Sequence, residues 1–202
     1  MMEFVRRLPG NPSRLGILPG TFNPITVAHL ALARAACGWV DEVVLVLPRE
    51  LPHKNYTGAT FAQRLEMLGA AGTDYSVAAS DGGLFADIAG ECRSVYGNRV
   101  RLSFLCGRDA AERIVGWDYG REGALAEMLD EFDLLVAERD GAYHPPAEFE
   151  NAIRRIDLPG EFDHVSASEV RDRIERGESW EHLVPGPVQE FVSKIYSSSP
   201  KA

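Results

Sequence analysis

The chain has 202 residues and a mass of 22.2 kDa, enough for one domain with its own core and too little for several. Hydrophobic residues make up 45% and charged residues 25%, which excludes a disordered or fibrous protein. Asp and Glu number 30 against 21 Lys and Arg, a formal charge of −9. That sign is wrong for gripping nucleic acid through its phosphates, so no nucleic-acid partner is expected.

Among the basic residues only Lys54, Lys194 and Lys201 are lysines. Guanidinium groups suit bidentate phosphate recognition, and equally suit plain surface ion pairs. Cys37, Cys92 and Cys106 are odd in number and lack CxxC spacing, so all three are expected as buried thiols in a reducing compartment. The first residues carry no apolar signal region, and no apolar run approaches the roughly 18 residues of a membrane span. A cytoplasmic location and no membrane partner are expected.

In chain order, short β-rich apolar runs at 15–18, 43–47, 75–79, 100–106 and 132–136 alternate with helical patterns at 27–37, 61–70, 83–96 and 110–128, the last interrupted near Gly116. This alternation predicts an α/β fold: a Rossmann-like, doubly wound parallel sheet with crossover helices. After Arg139 the alternation weakens through the loop at His144-Pro145-Pro146, a short helical piece and the turn at Leu158-Pro159-Gly160. From about residue 166 the tail reads as helical. Ser166-Ala167-Ser168-Glu169 is a capping box, with Val170 and Ile174 on one face and Gly177 past the end. Pro187 then opens a stripe of Val188, Phe191, Val192 and Ile195 expected to dock on the body. With no repeat and no linker, residues 1–202 read as a single domain with a C-terminal helical extension.

Ligands of an open parallel sheet bind beyond the carboxyl ends of its strands. The first such loop is Pro19-Gly20-Thr21-Phe22-Asn23-Pro24-Ile25-Thr26-Val27-Ala28-His29-Leu30, a glycine turn running into a helix N-terminus, where free N–H groups and the macrodipole favour anions. Thr26 and His29, three apart, share one face of the first turn and could reach the same phosphate oxygens. Equally, Thr26 could be a plain N-cap and His29 a surface or core histidine. There is no GxGxxG after the first strand and no GxxxxGK(S/T), so neither a standard Rossmann dehydrogenase nor a P-loop NTPase is supported.

The stretch GTFNPITVAHL resembles the first signature of the nucleotidyltransferase superfamily, G-(T/S)-F-(D/N)-P-x-(H/T)-x-G-H, departing at Ala28 where the family has glycine. Val165-Ser166-Ala167-Ser168-Glu169-Val170-Arg171 similarly resembles its second signature, ISSTxxR. Arginine is the right chemistry for a departing pyrophosphate, because its fork of donors meets charge as it develops. Within the superfamily the resemblance is to bacterial nicotinate (nicotinamide) mononucleotide adenylyltransferases, over nearly the whole chain.

Residues 47–54, ending in Pro52-His53-Lys54, look like that family's proline-rich P-H-K loop, whose lysine reaches substrate phosphates; an ordinary solvated lysine is the alternative. Residues 59–68 are similar to its helix carrying R-x-x-M. Gly107-Arg108-Asp109-Ala110 resembles its G-x-D-A, followed by a ring-stacking tryptophan, here Trp117; Asp109 is also a good helix cap, and Trp117 could be core. Leu183-Val184-Pro185 with Val188 and Phe191 resembles its closing helix. One departure bears on substrate. The family's G-P-S-Y-T-x-D-T-L segment, which surrounds the nicotinate carboxylate, falls on residues 81–89, where its hydroxyls are replaced by residues such as Leu84 and Phe85.

The resemblance therefore implies transfer of AMP from ATP, with Mg²⁺, to a phosphorylated small-molecule acceptor, nicotinate mononucleotide first. Thr26, His29, Lys54 and Arg171 would be catalytic. Gly20, Thr21, Phe22, Asn23, Gly107, Asp109, Ser166 and Ser168 would hold the nucleotide, and His53, Asp87 and Trp117 the acceptor; no protein metal site is expected. Other acceptors stay open, among them nicotinamide mononucleotide and phosphopantetheine. So do a non-catalytic nucleotide-binding protein and a homo-oligomer. Cytidylyl transfer is disfavoured because R-T-x-G-x-S-T is absent.

Overall fold

A computed structural model describes residues 1–50, 58–138, 143–158 and 162–196. The strands are β1 (Glu3–Arg6), β2 (Arg14–Pro19), β3 (Glu42–Pro48), β4 (Ser76–Ser80), β5 (Arg101–Gly107), β6 (Asp133–Ala137) and β7 (Ile153–Ile156). They form one sheet in the order β1-β4-β3-β2-β5-β6-β7. β1 pairs antiparallel with β4, and every other pair is parallel. The chain winds from β2 outward through β3 to β4, crosses to the other side of β2 as β5, and continues through β6 to β7. That reversal makes the carboxyl ends of β2 and β5 the ligand crevice of a doubly wound sheet.

The helices are α1 (Val27–Ala36), α2 (Phe61–Ala70), α3 (Phe85–Tyr96), α4 (Arg108–Val115), α5 (Ala124–Glu131), α6 (Ala167–Arg176) and α7 (Gln189–Tyr196). Burial on both faces explains the near-continuous apolar strands. In β3, Val43, Leu45 and Leu47 pack into the core under α1, α2, α6 and α7, while Val44 and Val46 enter the core under α3, α4 and α5. Each fully buried side chain of that size is worth about 1.5–3 kcal/mol of burial.

The five expected strands and the helix over 61–70 are present, within a residue or so at each end. The reading of 110–128 as one interrupted helix gives way to two, separated by residues 116–123. The α6 cap is half of the expected box. Ser166 Oγ accepts from the Glu169 amide at 3.1 Å, but the Glu169 carboxylate turns to Arg173 Nε at 2.6 Å instead of returning to the cap. Gly177 ends that helix at φ +71°, and Val170 is buried, with Ile174 partly buried, in the core under α1, α2, α6 and α7. The expectation of three buried thiols fails at Cys37, which is exposed just past the end of α1, where its thiol donates to the Ala33 carbonyl. Cys92 and Cys106 are buried, and desolvation pushes both thiols up to about 12.

Candidate active site

The turn after β2 is built around a glycine. A side chain at Gly20 would bring its Cβ to 3.0 Å from the ring of Phe22. That ring is 1% exposed and hangs from a backbone at φ +45°, a left-handed conformation costly for a bulky residue and kept only where surroundings enforce it. The ring meets His29 edge-on, with centroids 5.2 Å apart.

Three separate elements clamp this turn. From α2, the buried Arg64 guanidinium donates to the Thr21 carbonyl at 3.0 Å. From α6, Arg171 donates to the Asn23 carbonyl, to Ala167 at 3.1 Å and to Ser168 Oγ at 3.2 Å. From α7, the Tyr196 hydroxyl donates to Asn23 Oδ1 at 2.5 Å, and the Ala59 amide donates to the same oxygen at 3.3 Å. Burial raises the Tyr196 phenol far above its usual range, against the pull of the Arg171 and Arg64 charges. The hydroxyl therefore stays a donor at any physiological pH.

Thr26 is fully buried at the N-cap of α1, and it is bound to His29 rather than standing beside it. The Thr26 amide reaches His29 Nδ1 at 3.1 Å and its hydroxyl reaches the same nitrogen at 2.8 Å. An amide only donates, so Nδ1 is the acceptor and, in the neutral ring, Nε2 carries the hydrogen. The shared-face expectation thus becomes a division of labour in which Thr26 orients the ring and His29 supplies the donor. With Arg171 on Asn23, the N-termini of α1 and α6 stand on one turn, a pair of anion-favouring ends with a guanidinium between them.

The other expected residues fall as follows. Gly107 closes β5 and caps α4, and Asp109 sits exposed in the first turn without capping it. Trp117 is 61% exposed just past α4, so it is no core residue. Asp87 accepts from the Leu84 amide at 3.3 Å and so braces the start of its own helix. His53 and Lys54 lie outside the described residues. Composition and motif left Arg64 without a role and passed over Tyr196; each acts on a partner far away in sequence.

The sheet order and this clamped turn define a nucleotidyltransferase. The chain belongs to the Cytidylyltransferase-like family, whose model matches residues 17–173. It is 30% identical to a probable nicotinate-nucleotide adenylyltransferase of Gloeobacter violaceus, over 90% of this chain and 94% of that one. A probable nicotinate-nucleotide adenylyltransferase of Moorella thermoacetica is 28% identical over 90% and 89%. Among solved structures, the nicotinic acid mononucleotide adenylyltransferase of Plasmodium falciparum complexed with NaAD shares the fold with a TM-score of 0.68 at 20% identity, over 90% of this chain and 95% of that one. The protein is an enzyme of the nucleotidyltransferase type, similar to nicotinate-nucleotide adenylyltransferases. Among the described residues no helix is long and apolar enough to cross a membrane.

Proposed function

We propose that this enzyme transfers AMP from ATP to the phosphate of a pyridine mononucleotide, nicotinate mononucleotide first, in NAD biosynthesis. The observation that carries the reading is the contact of Arg171 with the Asn23 carbonyl, which joins the two anion-favouring segments, 148 residues apart, at one turn. In this reading an acceptor phosphate oxygen attacks the α-phosphorus of ATP, a new P–O bond forms, and the bond to the β-phosphate bridging oxygen breaks to release pyrophosphate. Such a transfer needs positioning and charge stabilisation rather than a side-chain nucleophile. His29 donates from Nε2 to the triphosphate, Thr26 holds its ring, and Arg171 meets the departing phosphates. Gly20, Thr21, Phe22 and Asn23 shape the turn, Ser166 and Ser168 open and brace the α6 end, and Gly107 at the end of β5 and Asp109 in the first turn of α4 border the nucleotide. Lys54 and His53 act on the acceptor side with Trp117.

Magnesium enters with ATP and supplies charge neutralisation at the phosphates. Among the described residues no three His, Cys, Asp or Glu side chains gather to hold a metal.

A second reading keeps the chemistry and changes the acceptor. In the segment that departs from the family, the Gly82 amide is taken by Glu91 at 3.1 Å and the Leu84 amide by Asp87 at 3.3 Å. Donors already facing carboxylates of the chain itself are poorly suited to a nicotinate carboxylate, and an uncharged amide, as in nicotinamide mononucleotide, meets less repulsion. The test is pyrophosphate release with Mg²⁺-ATP and nicotinate mononucleotide, nicotinamide mononucleotide or phosphopantetheine in parallel, with products weighed by mass spectrometry. Dinucleotide from nicotinate mononucleotide supports the first reading, preference for the amide supports the second, and no adenylylated product with any of the three defeats both.

A further inference from the structure

The last residue of α7, Tyr196, lies 173 residues from Asn23 and donates to its side-chain oxygen. Asn23 is 5% exposed, and its Oδ1 also accepts from the Ala59 amide. Two donors on one oxygen fix which way the amide faces, since the NH₂ end cannot accept either of them. The approach is possible because residue 58 is glycine. Its φ is +100°, and a Cβ there would stand 3.0 Å from the Tyr196 ring and 3.3 Å from Asn23 Oδ1. The backbone carbonyl of the same Asn23 takes the Arg171 guanidinium. One residue therefore carries α7 on its side chain and α6 on its backbone.

We propose that Tyr196 is a positioning residue for ATP. Its hydroxyl locks the Asn23 amide and thereby holds the Asn23 carbonyl, and with it Arg171, in register with the first turn of α1. The closing helix is part of the nucleotide site without touching the nucleotide. This rests on the reading of the turn as the triphosphate site, and it adds to that reading a requirement for the far end of the chain.

Tyr196→Phe keeps the ring against Gly58 and removes only the hydroxyl. Because a neutral hydrogen bond contributes about 0.5–1.5 kcal/mol, the dissociation constant for a non-hydrolysable ATP analogue is expected to rise roughly 2- to 12-fold. The KM for ATP should rise alongside it while the KM for the acceptor stays unchanged, a split that loss of general stability would not produce. Asn23→Ala should weaken analogue binding further, and adding Tyr196→Phe to it should cost nothing more, because the hydroxyl acts through Asn23. Wild-type analogue affinity in Tyr196→Phe overturns the proposal, as do losses that add in the double variant. If Asn23→Ala does not fold, the single tyrosine variant decides by its analogue affinity. Analogue binding without turnover of any acceptor would sink the adenylyl-transfer reading and leave the role of Tyr196 to the binding data. Failure of the wild-type protein to bind the analogue would overturn both.

Discussion

Thr26 and His29 are joined twice, through the Thr26 amide at 3.1 Å and its hydroxyl at 2.8 Å, both on Nδ1. The amide bond survives any substitution of Thr26 except proline, so it preserves the tautomer, whereas the hydroxyl refines the ring angle. Thr26→Val, nearly the same shape, is expected to lower kcat about 5- to 10-fold, the scale of one hydrogen bond, and Thr26→Ser to restore most of it. His29→Ala removes the donor itself and should lower kcat by about 10²–10³, the scale of losing one group aimed at developing charge. Steady-state kinetics on the three variants, with circular dichroism to confirm folding, checks the ranking. Equal losses in Thr26→Val and His29→Ala would contradict the division of labour.

What was legible in the sequence followed from burial. β3 is buried along its length, from Glu42 to Pro48, and its Val and Leu residues announce it. The helix at Phe61–Ala70 starts where Thr60 and Gln63 exchange cap bonds of 3.3 and 2.8 Å, a local pattern visible in four residues. β1 and β7 were missed because edge strands need neither length nor apolarity. Each has four residues, with charged side chains at half the positions, and pairs on one side only. The site split the same way. Glycine, histidine and arginine stood out by type, but the bond between Thr26 and His29 depends on rotamers. The clamps of Arg64 on Thr21 and Tyr196 on Asn23 close loops of 43 and 173 residues, which no local spacing encodes.

Gly20 transmits packing to chemistry. A methyl group there would stand 3.0 to 3.2 Å from three atoms of the Phe22 ring, and that ring is buried and edge-on to His29, so it cannot retreat without moving the imidazole. Gly20→Ala is expected to cost about 1–3 kcal/mol of stability, as overpacking does. Its kcat should fall by at least about tenfold through the displaced histidine. Urea denaturation and initial rates measure the two separately. Full activity alongside lowered stability would show that the ring yields away from His29.

The thiols give a pH dependence with a defined sign. Burial raises Cys92 and Cys106 from 9.0 to about 12, so between those values the native state keeps protons that the unfolded state has lost. Stability then falls as pH rises above 9, by up to about 1.4 kcal/mol per pH unit for each thiol. Half-buried Tyr96 and Tyr196, also raised by desolvation, act in the same direction above pH 10. Denaturant midpoints at pH 8 and pH 10.5 should differ accordingly, and the difference should shrink in Cys92→Ala. At pH 8 a thiol-specific disulfide reagent should titrate Cys37 in the native protein and all three cysteines in guanidinium chloride. Fast native reaction of Cys106 would contradict its burial.

Arg64 is 3% exposed yet lies on α2, whose first turn follows directly on Gly58 and Ala59. Its guanidinium donates to Thr21 at 3.0 Å and lies 5.9 Å from the Phe61 ring centroid, so it joins the helix start to the turn after β2 by a charge-assisted bond and a cation–π contact. A buried carbonyl losing such a donor costs about 1–3 kcal/mol. Lysine cannot reproduce the planar fork that spans both contacts. Arg64→Met should therefore lose stability in that range, and Arg64→Lys should recover little of it. Both variants should bind the ATP analogue more weakly than wild type, because the Thr21 carbonyl is released next to Phe22 and Asn23. Urea unfolding and analogue titration on the same preparations test the coupling, and a variant with lowered stability but wild-type affinity would confine Arg64 to the core.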